Sequence, residues 1–302
     1  MASALTNILV VGGNGFIGSA VCRAALAKGM SVTSVSSSGR PWTTPKGHSP
    51  AWTSQVNWRR GDAFNPESFA SELEKADGVV HTLGTLLEDG AYKQAIRDGD
   101  IFGVTRSLMG GASNPLKASG GGLYDKLNRD AALRVCEAYT NTASPVEGVS
   151  KPFVYISAED IFRPIVPARY IESKREAEAG IEALVTARSG FRGVYIRPSL
   201  VYHAHFRPLT TPLAVLLEFS SKMQAKLPSS VPSPSSILRR FGMQSVPNAL
   251  EIPPVHVDHV GEAVCVALER GDVRGVVGVD GMRELIGWRQ SSAGDGQFAG
   301  MH

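Results

Sequence analysis

Residues 8–18 read Ile-Leu-Val-Val-Gly-Gly-Asn-Gly-Phe-Ile-Gly, and this stretch decides the fold. A short apolar run leads into Gly12, Gly15 and Gly18, and residues 21–26 then have the apolar pattern of a helix. A strand, a glycine turn and a helix in this order are typical of the dinucleotide-binding fingerprint. The stretch predicts an α/β protein with a doubly wound, mostly parallel Rossmann sheet.

Each glycine of the fingerprint has its own physical reason. Gly12 allows the tight turn off the strand, Gly15 lets the backbone approach a pyrophosphate, and Gly18 lets the helix pack closely on the strand. The helix N-terminus then directs N–H groups and the positive end of its dipole at the anion. We therefore also count Phe16 and Ile17, which open the helix, among the predicted cofactor contacts.

Length and composition set limits on the function. The 302 residues are enough for one large α/β domain with a smaller lobe, or for two domains. The chain is 43% hydrophobic and 20% charged, which is ordinary for a globular protein. A net charge of +3 without a long Lys/Arg run argues against nucleic acid as a partner.

The cysteines and the hydropathy pattern give no sign of a disulfide, a metal or a membrane span. Cys22, Cys136 and Cys265 are far apart in apolar helical patterns, so we expect them to be buried free thiols. No apolar run approaches the roughly 18 residues that would suggest a transmembrane segment. Met1–Asn7 is too short for a secretory signal and lacks the Arg-rich character of a transit peptide, so the residues alone favour the cytosol.

The end of the predicted second strand bears on the choice of cofactor. NAD-preferring folds place a carboxylate there for the ribose hydroxyls, whereas residues 36–40 read Ser-Ser-Ser-Gly-Arg. Small hydroxyls such as Ser36, followed by Arg40, suit a 2′-phosphate that a guanidinium can bind with paired hydrogen bonds. The sequence therefore favours NADP(H), with NAD(H) as the alternative.

Two further positions follow predicted strands. Asp62 ends the third strand, where its carboxylate could meet the adenine amino group or cap the next turn, and the sequence leaves both open. Gly84 follows the fourth strand, where we expect the backbone to pass close to the cofactor.

The expected domain organisation has three parts. Residues 1–202 form the NAD(P)-binding Rossmann domain, in which 85–123 is a long irregular segment. We interpret that segment as a flap at the active-site mouth or as a docking loop for a partner. Residues 203–290 form a substrate lobe plus returning Rossmann elements, with an apolar helix at Pro212–Phe219, and 291–302 is a disordered tail.

Tyr170 and Lys174 are the predicted acid–base pair. They are four residues apart and therefore share one face of a helix. A nearby ammonium favours the phenolate, which brings the tyrosine towards a usable acid and base, and Lys174 could also hold the nicotinamide ribose. Ser157 ends the predicted fifth strand, where it could donate a hydrogen bond to a substrate carbonyl.

These residues also carry a resemblance to known proteins. The chain resembles the extended, atypical short-chain dehydrogenase/reductases over nearly its whole length. Within them it is similar to the fungal mitochondrial subunit family of the coenzyme Q (ubiquinone) biosynthetic complex, which is related to the nucleotide-binding accessory subunit of complex I. The motifs shared with the broad family are Gly-Gly-Asn-Gly-Phe-Ile-Gly at 12–18, Ile-Arg-Pro at 196–198 and Val-His-Val-Asp-His-Val at 255–260. The motifs that point to the coenzyme Q subunit family are Leu-Gly-Thr-Leu-Leu-Glu at 83–88, Tyr-Lys-Gln at 92–94, Asn-Pro-Leu-Lys at 114–117 and Tyr-Ile-Glu-Ser-Lys-Arg-Glu-Ala-Glu at 170–178.

The resemblance implies more than the residues do alone. It implies a Rossmann fold with bound NAD(P)(H), a place on the matrix side of the inner mitochondrial membrane with peripheral membrane contact, and association with coenzyme Q biosynthetic proteins. It also implies pyrophosphate contacts at the three glycines, Asp62 near the adenine, and Tyr170 with Lys174 as the acid–base pair. The chain departs from the family at Ser157, which lies closer to the tyrosine than in members with a full triad and is followed by Ala158.

Three functions are compatible with this sequence. The first is an NADP(H)-dependent oxidoreductase acting on an apolar, quinone-type intermediate, which the Tyr–Lys pair favours. The second is a non-catalytic, nucleotide-loaded scaffold of the coenzyme Q complex, which the departure at Ser157 favours. The third is a nucleotide-sugar epimerase or dehydratase, which the fold alone permits. We expect no metal in the site.

Overall fold

The computed structural model describes residues 6–84, 122, 124–142, 149–161, 168–203 and 251–288. The predicted flap at 85–123, apart from Gly122, lies outside the described residues. The predicted apolar helix at Pro212–Phe219 and the predicted tail at 291–302 also lie outside them.

A seven-stranded sheet in the order β3-β2-β1-β4-β5-β6-β9 forms the centre of the molecule, and every strand pair in it is parallel. This order reverses direction at β1, as it does in doubly wound dinucleotide-binding folds, and it confirms the predicted fold class. A second, two-stranded parallel sheet pairs β7 with β8. The strands are β1 Asn7–Val11, β2 Ser31–Ser36, β3 Asn57–Arg60, β4 Gly78–His81, β5 Lys151–Ile156, β6 Phe191–Ile196, β7 Val201–Tyr202, β8 Val255–His256 and β9 Gly275–Val277.

Helices cover both faces of the large sheet. On one face α1 packs against α5, and on the other α3 packs against α4. Among the described helices, none has the length and apolar character needed to cross a membrane. The α-helices are α1 Phe16–Ala27, α2 Ala70–Lys75, α3 Ala131–Thr140, α4 Ala168–Thr186, α5 Val257–Glu269 and α6 Val279–Leu285, and shorter helical segments are 3-10 at Ala51–Gln55 and Pro66–Phe69 and π at Asp125–Asp130.

The central strands of the large sheet are buried on both faces. All four apolar residues of β1 are buried, as are all six residues of β6. Continuous burial of this kind is what a parallel sheet covered by helices on both sides requires. His81 of β4 fits this pattern, because it is fully buried beside the rings of Phe153 and Tyr155, and burial lowers its pKa to about 3.

Several element boundaries differ from the prediction. Strand β3 ends at Arg60, so Asp62 lies two residues beyond the strand that it was predicted to end. Strand β5 ends at Ile156, so Ser157 lies one residue beyond it rather than inside it. The sequence pattern predicts a short strand and turn at 253–260 and a helix from Gly261 to Arg270. Helix α5 instead begins at Val257, where the His256 side chain caps it by accepting a hydrogen bond from the backbone N–H of Asp258. A histidine is not among the usual capping residues, which is why the sequence pattern did not indicate this start.

Candidate active site

The glycine loop is built at the carboxyl end of β1. Gly12 has a φ of +89°, a backbone conformation that favours glycine, and its N–H donates to the Val35 carbonyl at 2.8 Å. Gly15 caps α1 and donates to the Gly12 carbonyl at 2.9 Å. A Cβ on Gly18 would lie 2.2 Å from the Gly12 carbonyl oxygen, so only glycine lets the helix come this close. The first turn of α1, with Phe16 and Ile17, therefore opens directly onto the loop.

The loop after β2 is tied to the glycine loop. The amide nitrogen of Asn14 donates to the Ser38 hydroxyl at 3.2 Å, and the backbone N–H of Arg40 donates to the same oxygen at 3.3 Å. The buried Ser36 hydroxyl accepts from the N–H of Gly39 at 3.1 Å. Arg40 is exposed, and residues 36–40 carry no acidic side chain. No role was predicted for Asn14, and its side chain joins the glycine loop to the loop after β2.

Asp62 takes part in a local turn. Its carboxylate accepts the backbone N–H of Phe64 at 2.9 Å, and its own N–H donates to the Ser68 hydroxyl at 3.0 Å. This is the turn-capping geometry that the sequence left open beside the adenine contact. Because Asp62 is exposed, one carboxylate oxygen accepting the turn leaves the other facing solvent at the carboxyl edge of β3.

Lys174 lies at the centre of the site. It is buried, and its ammonium donates to the carbonyl of Ile156 at 2.8 Å and lies 4.6 Å from the centroid of the Tyr155 ring. A Cβ on Gly84 would lie 2.8 Å from its Nζ atom, so the loop after β4 passes close to the end of the Lys174 side chain. Burial, with a smaller contribution from Arg175, lowers the pKa of Lys174 from 10.5 to about 7.

Asn128 lies beside Lys174 and is linked through hydrogen bonds to the backbone of Tyr170, the predicted acid. Its amide nitrogen donates to the Ser173 hydroxyl at 3.2 Å, and that hydroxyl donates to the backbone carbonyl of Tyr170 at 2.9 Å. Its own backbone carbonyl accepts a hydrogen bond from the Tyr155 hydroxyl. A Cβ on Gly84 would lie 3.0 Å from the side-chain oxygen of Asn128, which places that oxygen beside Lys174.

This role of Asn128 was not predicted, because the features that mark the residue are structural. The residue is fully buried in the π-helical segment that leads into α3, and it continues the buried face of that helix. A polar amide at a core position, in a stretch with π-helical hydrogen bonding, is typical of functional sites. Apolar periodicity alone does not distinguish such an amide from a solvent-facing one.

Tyr170 lies near the start of α4, one turn before Lys174. Its ring contacts the ring of Tyr124 edge-on, with 5.9 Å between the ring centroids. Lys174, one turn further along α4, lies beside Gly84 at the carboxyl edge of β4 and β5. Ligands of open α/β sheets bind at this edge.

Ser157 belongs to a neighbouring polar network. Its hydroxyl accepts from the Arg175 guanidinium at 3.0 Å, and the same guanidinium donates to Glu178 at 2.8 Å and to the carbonyl of Ala158 at 2.8 Å. Arg197 of the Ile-Arg-Pro motif also donates to Glu178, at 3.0 Å through its Nε atom. Ser157 thus has a structural partner on α4, one that its position after a strand did not predict.

A family model and two relatives are similar to this chain in sequence. The model of the NAD dependent epimerase/dehydratase family matches residues 8–105. The chain is 30% identical over 282 residues to MIOREX complex component 2 of Saccharomyces cerevisiae, covering 90% of this chain and 97% of the yeast protein. It is 26% identical over 280 residues to an uncharacterised chloroplastic protein of Arabidopsis thaliana, covering 92% of this chain and 76% of the plant protein.

Solved structures show the same fold at low identity. A 3-oxoacyl-acyl-carrier-protein reductase from Brucella melitensis in complex with NAD superposes with a TM-score of 0.57 at 15% identity, covering 94% of this chain and 99% of the reductase. Vestitone reductase from alfalfa superposes with a TM-score of 0.52 at 19% identity, covering 90% of this chain and 76% of that enzyme. These matches confirm the predicted likeness to short-chain dehydrogenase/reductases at the level of the fold.

Proposed function

The chain belongs to the family of the yeast MIOREX complex component 2, and we propose that it is an NADP(H)-binding, short-chain dehydrogenase-like protein that supports coenzyme Q biosynthesis by redox chemistry on an apolar, quinone-type intermediate. The observation that carries the proposal is the arrangement of Lys174, Gly84 and Asn128 at the carboxyl edge of β4 and β5, one helical turn from Tyr170. The glycine loop lies on the neighbouring strand, β1, at the same edge.

The residues fit a dinucleotide. Gly12 and Gly18 pack so closely on other protein atoms that a Cβ would clash, which holds the loop against the start of α1, whereas a Cβ on Gly15 would contact only the Gly12 carbonyl oxygen. The α1 N-terminus adds N–H groups and a favourable dipole for a pyrophosphate. When bound, the nicotinamide would supply the hydride donor or acceptor. The chain itself would bind the phosphates through Gly12–Gly18 and the adenosine ribose through the loop at 36–40.

Tyr170 and Lys174 of α4 would carry out the proton transfer. A lysine whose pKa is about 7 carries its charge for part of the time at neutral pH, and an anionic ligand beside it favours the charged form. That ammonium lowers the free energy of a Tyr170 phenolate, so Tyr170 can give or take the proton that accompanies hydride transfer. Asn128 holds the Tyr170 backbone through Ser173 and thereby fixes the start of α4.

We further propose a place on the matrix side of the inner mitochondrial membrane in association with other coenzyme Q biosynthetic proteins. The yeast relative is named as a component of a complex, which supports a multi-protein assembly. A second candidate function is the non-catalytic, nucleotide-loaded scaffold of that assembly. The contact between Arg175 and Ser157 favours it, because it engages the serine that a complete triad would direct at substrate.

Gly15→Val tests whether nucleotide binding is needed. A Cβ at Gly15 meets only the Gly12 carbonyl, at 3.1 Å, so the fold should tolerate the change while the larger side chain covers the pyrophosphate position. We expect nucleotide affinity to fall at least about tenfold, since a close backbone approach is lost. In cells whose own copy is deleted, coenzyme Q content should fall with it. Gly271→Ala, where a Cβ meets no atom within 4 Å, is the control. Normal coenzyme Q content without nucleotide binding would contradict the proposal.

Arg40→Ala tests the cofactor preference. Loss of a charge-assisted pair to a 2′-phosphate should weaken NADP(H) about tenfold and leave NAD(H) affinity unchanged. Arg59→Ala is the matched control. Arg59 of β3 is also exposed, but its Nε atom lies 3.7 Å from a carboxylate oxygen of Glu72. Both cofactors are titrated by fluorescence against the three proteins. Equal NADP(H) affinity in wild type and Arg40→Ala would remove the basis for an NADP(H) preference.

A further inference from the structure

The small β7–β8 sheet brings together three metal-ligating side chains outside the nucleotide site. Strands β7 and β8 pair with Tyr202 opposite His256. His203 follows Tyr202 directly, and Asp258 lies in the first turn of α5, two residues after His256. The cluster His203–His256–Asp258 therefore forms only because two segments far apart in the sequence pair in parallel.

The geometry of the cluster suits a metal ion. One ligand atom from each of the three residues lies within 4.8 Å of the other two. The imidazole rings of His203 and His256 have centroids 5.0 Å apart, and Nδ1 of His256 lies 3.7 Å from Oδ2 of Asp258. Ligands about 2.1 Å from a tetrahedral zinc ion are roughly 3.4 Å apart, so small side-chain rotations would close the set.

His256 can offer either of its ring nitrogens to an ion. Its Nδ1 accepts the backbone N–H of Asp258 at 3.3 Å and lies 3.7 Å from Oδ2 of the Asp258 carboxylate. Metals bind an unprotonated nitrogen of imidazole. An ion bound at Nδ1 would replace this long hydrogen bond, whereas an ion bound at Nε2 would leave it in place.

Surrounding residues already orient the ligands. Arg23 of α1 pairs with Oδ1 of Asp258, which leaves Oδ2 directed at His256. Such a partner behind a ligating carboxylate is the usual support of a metal site. His203 is only 8% exposed, whereas the Asp258 side chain is 36% exposed, so the cluster has a protected side and an entry path.

We propose that His203, His256 and Asp258 bind one divalent first-row transition metal ion, of the class that prefers nitrogen and carboxylate ligands, as zinc does. Three protein ligands leave a fourth position for water or for a ligand atom. The ion would fasten β7 and β8 to the start of α5. This site is separate from the nucleotide site and does not depend on the proposed redox function.

Zinc binding to the full chain tests the proposal. The protein is prepared without a polyhistidine tag, treated with a chelator, and titrated with Zn²⁺ by calorimetry. We expect one Zn²⁺ per chain, and His203→Ala should weaken binding at least about 100-fold, since removing a ligand costs more than removing its outer support. His48→Ala is the matched control, because His48 lies in an exposed loop and should leave Zn²⁺ binding unchanged.

A second variant distinguishes loss of the metal site from loss of the fold. Asp258→Asn keeps the size of the side chain, and it should lose Zn²⁺ binding while NADP(H) affinity and far-ultraviolet circular dichroism stay as in wild type. The visible absorption of bound Co²⁺ should indicate mixed nitrogen and oxygen ligands in the wild type and vanish in both variants. Equal Zn²⁺ affinity in wild type, His203→Ala and Asp258→Asn overturns the proposal, as does the absence of stoichiometric binding to the wild type.

Discussion

Tyr170→Phe is expected to lower flux through the proposed redox step about 100- to 10,000-fold, which is the usual contribution of a positioned acid or base. The change removes only the phenolic hydroxyl, so the ring contact with Tyr124 and the fold of α4 remain. Cells that depend on this chain should lose coenzyme Q and accumulate the unconverted intermediate, which mass spectrometry of quinone extracts can measure. Nucleotide affinity should not change, because the glycine loop is untouched.

Tyr195→Phe is the matched control for that experiment. It deletes the same atom from a tyrosine of β6 whose hydroxyl donates to Glu182 at 2.5 Å, away from Lys174 and Gly84. Normal coenzyme Q content in Tyr170→Phe, together with its loss in Gly15→Val, would exclude the acid–base role and leave the scaffold function standing. The two variants therefore distinguish a nucleotide that reacts as a redox cofactor from a nucleotide that only stabilises the structure.

Lys174→Met is expected to make the protein more stable at pH 6 and to lose that advantage as the pH rises. The unfolded chain keeps the proton on Lys174 up to about pH 10.5, whereas the native chain releases it near pH 7. Between these values the unfolded state binds more protons, so the stability of the wild type rises with pH. A difference of this size corresponds to on the order of 5 kcal/mol across the interval.

Urea denaturation of wild type and Lys174→Met at several pH values measures this effect. The free energy of unfolding of the variant should exceed that of the wild type most at pH 6, and the gap should narrow steadily above pH 7. Lys46→Met, at an exposed lysine in the loop before the first 3-10 helix, corrects for the general effect of losing a lysine. A gap that stays constant with pH would show that Lys174 is not desolvated in the native state.

Local signals in the sequence predicted the parts of this site that depend on the backbone. Gly12 needs a positive φ and Gly18 needs to lack a side chain, and both requirements are visible as glycines after an apolar strand. Tyr170 and Lys174 could be assigned to one helical face, because a spacing of four residues fixes that geometry wherever the helix packs. The mostly parallel α/β sheet could be predicted from the alternation of strands and helices.

Contacts between distant segments could not be predicted in this way. Arg175 reaches Ser157 only because α4 lies over the end of β5, and Asn128 meets Lys174 only because its helical segment packs against α4. Neither contact has a fixed spacing in the sequence. The start of α5 at Val257 was missed for a related reason, since its cap is a histidine whose ring is placed by the small sheet.

The packing of α5 on α1 has a consequence for how the protein is made. Arg23 of α1 forms an ion pair with Asp258, which is 235 residues further along the chain. Gly261 of α5 lies so close to α1 that a Cβ on it would be 2.7 Å from the Ala20 carbonyl oxygen. At about 5–20 residues per second, a ribosome needs tens of seconds to add the missing partner. Through that interval the apolar residues of α1 that α5 covers in the native protein lack this partner, and we expect such transiently exposed apolar surface to need protection from aggregation.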